Sequence, residues 1–368
     1  MMANDMSSLE KEIRRRITSG GAMAISKYME LCLTDPERGY YTTRDPFGVA
    51  GDFTTAPEIS QMFGELLGLW AAAVWRAMDS PAAIHLVELG PGRGTMMVDA
   101  LRAAKVVPEF SAAIAVHMIE ISPELQRRQR QALELSDVPV SWHRSIDDVP
   151  DGALIVLANE FFDALPVNQA VMCADGWHER VVGIGDEGEL TFGVDRDPLP
   201  LFDKLLPATL GDAAIGEIFE WRSDHIALEL GRRLVHFGGA ALILDYGHLE
   251  SAIGETLQAV GAHAYAEPLL APGQVDLTAH VDFQALAQAA EGMGARVHGP
   301  VTQAALLRRL GIRQRAAALK AGAPPEYAGP IDAALARLTD ESRTGMGRLI
   351  KAIAFSGPQL DTPPGFET

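Results

Sequence analysis

From residue 84 onward the chain alternates short apolar runs with longer stretches of helical period. Apolar runs stand at 84–89, 114–119, 138–143, 154–158 and 240–244. Strands that read as continuous apolar blocks, each followed by a helix, predict a parallel sheet covered on both faces. Upstream, 7–18 and 22–34 read as amphipathic helices, 39–57 as a loop rich in Gly, Thr and aromatics, and 58–78 as one long apolar helix carrying Trp70 and Trp75. Residues 167–194 switch to strict alternation around Asp175-Gly176 and Asp186-Glu187-Gly188. That pattern predicts an antiparallel β insertion at the edge of the sheet. Further on come a helix at 283–290, a strand at 295–298, helical stretches over 306–338 broken at Pro324-Pro325, and a last strand at 349–355. The Pro-rich tail from 357 reads as loose. There is no internal repeat.

These elements predict an α/β, doubly wound, Rossmann-like sheet. The expected layout is a helical segment and covering loop at 1–80, a core at 81–166 and 217–300, a β insertion at 167–216, a helical lobe with the final strand at 301–356, and the tail at 357–368.

Composition narrows the class. The chain has 368 residues, 48% hydrophobic, and a net charge of −18. That is enough apolar material for one large or two modest cores. A surface this acidic argues against nucleic acid as a main partner. It suits a basic target, and it equally serves solubility. Cys32 and Cys173 match no metal spacing and no disulfide framework. No apolar run reaches membrane-spanning length. The first residues lack a signal-peptide core, and Asp5, Glu10 and Glu12 among Arg14, Arg15 and Arg16 argue against a mitochondrial presequence. The composition reads as that of a cytosolic enzyme.

The chemistry concentrates where the first apolar run ends. Residues 84–94 read Ile-His-Leu-Val-Glu-Leu-Gly-Pro-Gly-Arg-Gly. A strand delivers Glu88, then Gly90, Gly92 and Gly94 precede a helix-like run. Glycines there let backbone approach a ligand closely. The second run ends in Glu120, and a carboxylate at that strand tip can accept both hydroxyls of a ribose. The features together predict a nucleoside-containing cofactor. The spacing is Gly-x-Gly-x-Gly, not the dinucleotide Gly-x-Gly-x-x-Gly, and no Lys-Ser or Lys-Thr makes a P-loop. An acid beside the turn would repel a pyrophosphate but suits the cationic methionine end of S-adenosyl-L-methionine. The motif resembles the first motif of class I methyltransferases.

The fourth run delivers Asn159, Glu160 and Asp163 to the same sheet edge, where open α/β sheets bind ligands. Asn159, Glu160 and Asp163 are the catalytic candidates, facing donor and acceptor. The alternative is that Asp163 caps a helix and Glu160 is an exposed loop acid. The fifth run ends in Asp245-Tyr246-Gly247-His248, which could shape an acceptor channel or satisfy a turn. His248 and His280 are alternative proton acceptors. Asp147 or Asp148, after the third run, could bind an adenine amino group or sit in a solvated turn. The 51–60 segment, with Thr54, Thr55 and Glu58, is polar enough to hydrogen-bond the donor's amino-acid end. Equally, Thr54 or Thr55 could cap the following helix.

Several strings place the chain beside a known family. They are Gly39-Tyr40-Tyr41, Gly51-Asp52-Phe53-Thr54-Thr55-Ala56-Pro57-Glu58-Ile59-Ser60, 88–95, 159–166, Asp245-Tyr246-Gly247 and Asp276-Leu277-Thr278-Ala279-His280-Val281. The chain resembles the MidA-like proteins, bacterial and mitochondrial methyltransferases of respiratory complex I assembly. The resemblance implies a class I methyltransferase fold and S-adenosyl-L-methionine as donor. It also implies a protein substrate, since mitochondrial members symmetrically dimethylate an arginine of a complex I subunit. Neither acceptor nor oligomeric state can be read here. Two other classes remain: a nicotinamide-dependent oxidoreductase, which cofactor soaking would separate, and a non-catalytic assembly factor with a relic site, which donor turnover would separate.

Overall fold

A computed structural model describes residues 7–43, 55–204, 206, 207, 210, 213–261 and 264–367. Residues 51–54 of the 51–60 string, with Thr54, lie outside the described residues. The chain divides into two compact units. The smaller comprises Met1–Pro46, Phe162–Ser223 and Glu250–Asp282, and the larger Phe47–Phe161, Asp224–Leu249 and Phe283–Thr368.

The larger unit holds the predicted sheet. Its strands are β1 (Ile84–Leu89), β2 (Ile114–Ile119), β3 (Val140–His143), β4 (Leu154–Asn159), β5 (Gly239–His248), β6 (Arg296–Thr302) and β7 (Ile350–Ser356). They lie in the order β6-β7-β5-β4-β1-β2-β3. The first five run parallel, and β7 is antiparallel to both its neighbours. This is the class I methyltransferase architecture. All of β4 is buried, as a central strand covered on both faces must be, which is why it reads as an unbroken apolar run. The chief helices are α1 (Gln61–Ala77), α2 (Thr95–Ala104), α3 (Pro123–Ala132), α4 (His225–Phe237) and α5 (Phe283–Gly292). Trp70, Phe63 and Leu67 of α1 join Leu86, Ile155, Leu157 and Leu242 in one apolar core.

The smaller unit contains helices Ser8–Gly20 and Ile25–Thr34 and a five-stranded antiparallel sheet. In that sheet Met23–Ala24, Gly176–Ile184, Val167–Cys173 and Ile218–Arg222 are neighbours in turn, and Leu190–Pro198 pairs with Gly176–Ile184. Trp177, Phe202 and Phe219 pack together as its core, with Trp221 against them.

The structure corrects the sequence reading in four places. The 167–194 insertion does not extend the main sheet. It builds its own, because its alternation gives it an apolar face that the ring cluster fills. The 1–80 segment does not stay together, since its first two helices belong to the smaller unit and α1 to the larger. The helices after 301 join the larger unit with β7 and form no separate lobe. The tail is not loose. Leu360 and Phe366 are buried, and Trp70 Nε1 donates to Pro364 O at 3.1 Å.

Candidate active site

The carboxyl ends of β1, β2 and β4 in the larger unit carry the polar groups. Glu88, on β1, pairs with Met118 of β2 and Leu157 of β4, so it sits at the middle of the sheet. It is buried, and its Oε2 has no hydrogen-bond partner among the described residues. Burial, with the nearby Glu120 carboxylate, pushes its carboxyl well above the ordinary range. The chain then turns through Gly90, Gly92 and Gly94, with φ of 62°, 52° and 83°. These are left-handed conformations that favour glycine. A Cβ on Gly90 would also stand 2.7 Å from a Phe161 ring carbon. Gly94 is the N-cap of α2.

Glu120 follows β2 and is buried. Its Oε1 accepts from Ser122 N at 2.8 Å and its Oε2 from Gln129 Nε2 at 3.1 Å. Burial lifts its carboxyl to about 7 against the opposing pull of those two donors. Gln129, on α3, is fully buried. Its Nε2 also donates to Gly92 O at 2.7 Å, and its Oε1 accepts from Trp142 Nε1 at 2.9 Å. The sequence reading missed Gln129 and Trp142. A glutamine inside the polar run of α3 carries no local sign that it faces inward.

At the end of β4, Asn159 is buried, and its Nδ2 donates to Glu160 Oε1 at 3.0 Å. Asn159 Oδ1 is a second buried acceptor with no partner among the described residues. Glu160 has φ of 49°, uncommon for any residue but glycine and a mark of local backbone constraint. Its Oε1 also accepts from Ala56 N at 3.3 Å. Thr55 is the N-cap of Ala56–Ile59 but makes no side-chain cap bond. Glu58, three residues further, accepts from Thr95 Oγ1 at 2.5 Å and lies 3.5 Å from Arg93 Nη1. The 55–60 string is thereby tied to both the glycine turn and the β4 tip. Asp245, fully buried on β5, accepts from Phe161 N at 3.1 Å and from Tyr246 N at 2.8 Å. Of the two readings for Asp245, the structure supports the backbone-satisfying one.

Asp147 has partners outside this group. Asp147 accepts from Ser145 Oγ at 2.6 Å and His225 Nε2 at 3.0 Å, in a short 3₁₀ turn. Those bonds, one of them within its own turn, are the solvated-turn alternative. Asp163 lies three residues beyond Glu160 in the chain and is counted with the smaller unit. There its carboxylate bonds backbone N–H groups of Asp163 and Ala164, burial raises its pKa, and the Arg222 guanidinium opposes that rise. Arg222 donates to the carbonyls of Asp163, Ala279 and His280, so the Asp276–Val281 string serves here as packing for that arginine.

The orphaned atoms of Glu88 and Asn159 are both acceptors, at the sheet edge beside a backbone turn that excludes side chains. A ligand that fits brings hydrogen-bond donors and positive charge, as the ammonium and ribose of S-adenosyl-L-methionine do. Comparison with known proteins agrees. Residues 66–301 match a family described as "Putative S-adenosyl-L-methionine-dependent methyltransferase". The chain belongs to this family. It is 37% identical over 367 residues to the Drosophila melanogaster mitochondrial protein arginine methyltransferase NDUFAF7 homologue, covering 92% of this chain and 83% of that one. With human mitochondrial protein arginine methyltransferase NDUFAF7 the identity is 36% over 346 residues, 85% and 75% of the two chains. A crystal structure from Burkholderia thailandensis, bound to S-adenosyl-homocysteine, superposes with a TM-score of 0.81 at 29% identity, covering 97% of this chain and 94% of that one. The protein is an S-adenosyl-L-methionine-dependent methyltransferase, and the nicotinamide alternative falls. Among the described residues no helix is long and apolar enough to cross a membrane, and no metal-ligand cluster occurs.

Proposed function

We propose that this methyltransferase modifies an arginine of a protein, a respiratory complex I subunit or its bacterial counterpart, in the cytosol. The observation that carries the reading is the β4 tip. Glu160 is held at positive φ by its backbone, and its carboxylate is fixed by Asn159 and Ala56. The relatives named protein arginine methyltransferases support the choice of acceptor.

In this reading Glu120 accepts the ribose hydroxyls, and Gly90, Gly92 and Gly94 let the donor lie against backbone. Glu88 faces the ammonium end, with Thr55 on the same side. When bound, the donor supplies an electrophilic methyl group on a sulfonium. The chain's part is to hold a guanidinium nitrogen in line with that carbon. Glu160 can bind the guanidinium plane and leave one nitrogen aimed at the methyl. A new N–C bond forms as the C–S bond breaks. Arginine's high pKa means the proton leaves after transfer, and in this reading the Glu160 carboxylate receives it.

The test is Glu160→Gln. Donor affinity should stay within about twofold of the parent while transfer falls by at least about a hundredfold. Parallel loss of donor affinity would move Glu160 into the cofactor site. Mass spectrometry of complex I subunits from a deletion strain should show a lost arginine methyl mark. An unchanged methylation pattern would remove complex I as the target.

A further inference from the structure

Gln129 touches three groups that the donor-binding reading treats as separate. Its Nε2 bonds Gly92 O at 2.7 Å and Glu120 Oε2 at 3.1 Å, and its Oε1 bonds Trp142 Nε1 at 2.9 Å. Only one orientation of the amide satisfies all three. An indole N–H can only donate, so it takes the amide oxygen. A carbonyl and a carboxylate can only accept, so they take the amide nitrogen. A flipped amide would set oxygen against two acceptors and NH₂ against a donor. Gln129 is fully buried, so water cannot rescue the flipped state. Trp142 is held in turn by the Arg130 guanidinium, 4.0 Å from its ring centroid.

We infer that Gln129 is a positioning residue of the methyl-transfer reaction. It locks the glycine turn and the ribose carboxylate to one another, with Trp142 fixing its sense. The inference rests on the assignment of Glu120 to the donor ribose. One amide spans the backbone under the donor's amino-acid end and the acid under its sugar. It therefore sets the spacing between two anchor points of a single ligand. It also keeps a donor on Glu120, which favours the ionised form that can accept two hydroxyls. Two ionisable groups flank this arrangement: Glu88 on β1, whose carboxyl the Glu120 charge helps to raise, and Arg130, whose guanidinium lies over Trp142.

The test measures S-adenosyl-homocysteine binding by calorimetry from pH 6 to 9 on the full chain. The parent should bind more tightly as pH rises, with a midpoint near the Glu120 value of about 7. Gln129→Met keeps the shape and removes the donor. It should weaken binding about tenfold at pH 7 and move the midpoint upward by about one unit, a shift that a merely structural loss would not give. Trp142→Phe leaves the amide present but unlocked, and should shift the midpoint in the same direction by less. A parent-like midpoint in both variants would overturn the inference. If Gln129→Met fails to fold, a parent-like midpoint in Trp142→Phe alone does the same. Glu120→Gln separates this from the reading beneath it. If Glu120→Gln binds at parent affinity, the ribose assignment fails. If it loses affinity while Gln129→Met does not, only the positioning role fails.

Discussion

Glu88 shows how a single residue can be legible in chemistry yet not in environment. The sequence places an acid two residues before a glycine turn, and that suffices to favour a cationic ligand over a pyrophosphate. It does not show that the acid is buried with an oxygen that has no hydrogen-bond partner among the described residues, nor that Glu120 lies close enough to repel it. The consequence for stability has a definite sign. A carboxyl whose folded pKa is raised above its unfolded value binds its proton more tightly when folded. Donor-free stability therefore falls as pH rises above the unfolded value of roughly 4.3, by at most about 1.4 kcal/mol per pH unit for one group. Glu88→Gln removes that penalty. Urea denaturation of the donor-free protein should give similar stabilities for parent and variant at pH 5, with the variant ahead at pH 8. The variant should also bind S-adenosyl-homocysteine more weakly, since the amide brings no charge. A stability gap that ignores pH would show that Glu88 is ionised and compensated in the folded protein. Asp147 shows a related limit: Ser145, two residues before it, bonds its carboxylate, and spacing alone does not say which acids are taken.

At the scale of the element, the first four strands were legible to within a residue or two because buried parallel strands are apolar runs bounded by turns, whereas the runs 240–244 and 295–298 stop four residues short of the ends of β5 and β6. The reading of 58–78 as a single helix was not correct. Ser60 adopts φ −164° and ψ 140°, breaking the run, and its Oγ accepts from Met62 N to cap α1. A serine inside an apolar period is easily read as a helix interior position, yet its hydroxyl competes for backbone N–H groups and favours a cap. The break has a function in this fold. It releases Ala56–Ile59 as a separate turn, so that Glu58 meets Thr95 and Ala56 N meets Glu160. Ser60→Ala should cost about 1 kcal/mol, the usual worth of a lost cap. Thr95→Val should disturb the turn's tether to Glu58 and weaken donor binding more than it lowers stability. Thermal melts set beside calorimetry check both, and a Ser60→Ala protein of parent stability would show that the cap contributes nothing. The insertion shows the opposite limit. Its alternation identified antiparallel strands, but the sheet they join is completed by Met23–Ala24 and Ile218–Arg222, segments too short or too distant to announce a partner.

At the scale of the molecule, the parallel sheet and the donor class followed from the chain's own pattern, while the spatial order of the strands and the division into units did not. The smaller unit is assembled from three separate stretches, so no compositional boundary marks it. The end of the chain was misjudged in the same way, because proline content was allowed to outweigh two buried hydrophobics. Leu360 is 5% exposed and Phe366 7%. Arg296 Nη1 donates to Leu360 O at 3.1 Å, Trp70 Nε1 to Pro364 O at 3.1 Å, and Arg309 Nη1 to Gly365 O at 2.9 Å. These bonds join the tail to α1, β6 and the helix Gln303–Arg309, elements that lie far apart in sequence. Burying a Leu and a Phe side chain contributes roughly 1.5–3 kcal/mol each. Losing the Pro364 carbonyl would also leave the Trp70 indole N–H buried without an acceptor, at a further cost of about 1–3 kcal/mol. Truncation after Gly357 should therefore lower unfolding free energy by several kcal/mol, a large share of a typical domain's total. Denaturant titration of the truncated and full chains measures it. Phe366→Ala should reproduce about 3–5 kcal/mol of the loss on its own. If truncation leaves the midpoint unchanged, the tail is an ornament on the larger unit and the sequence reading of a loose end was right.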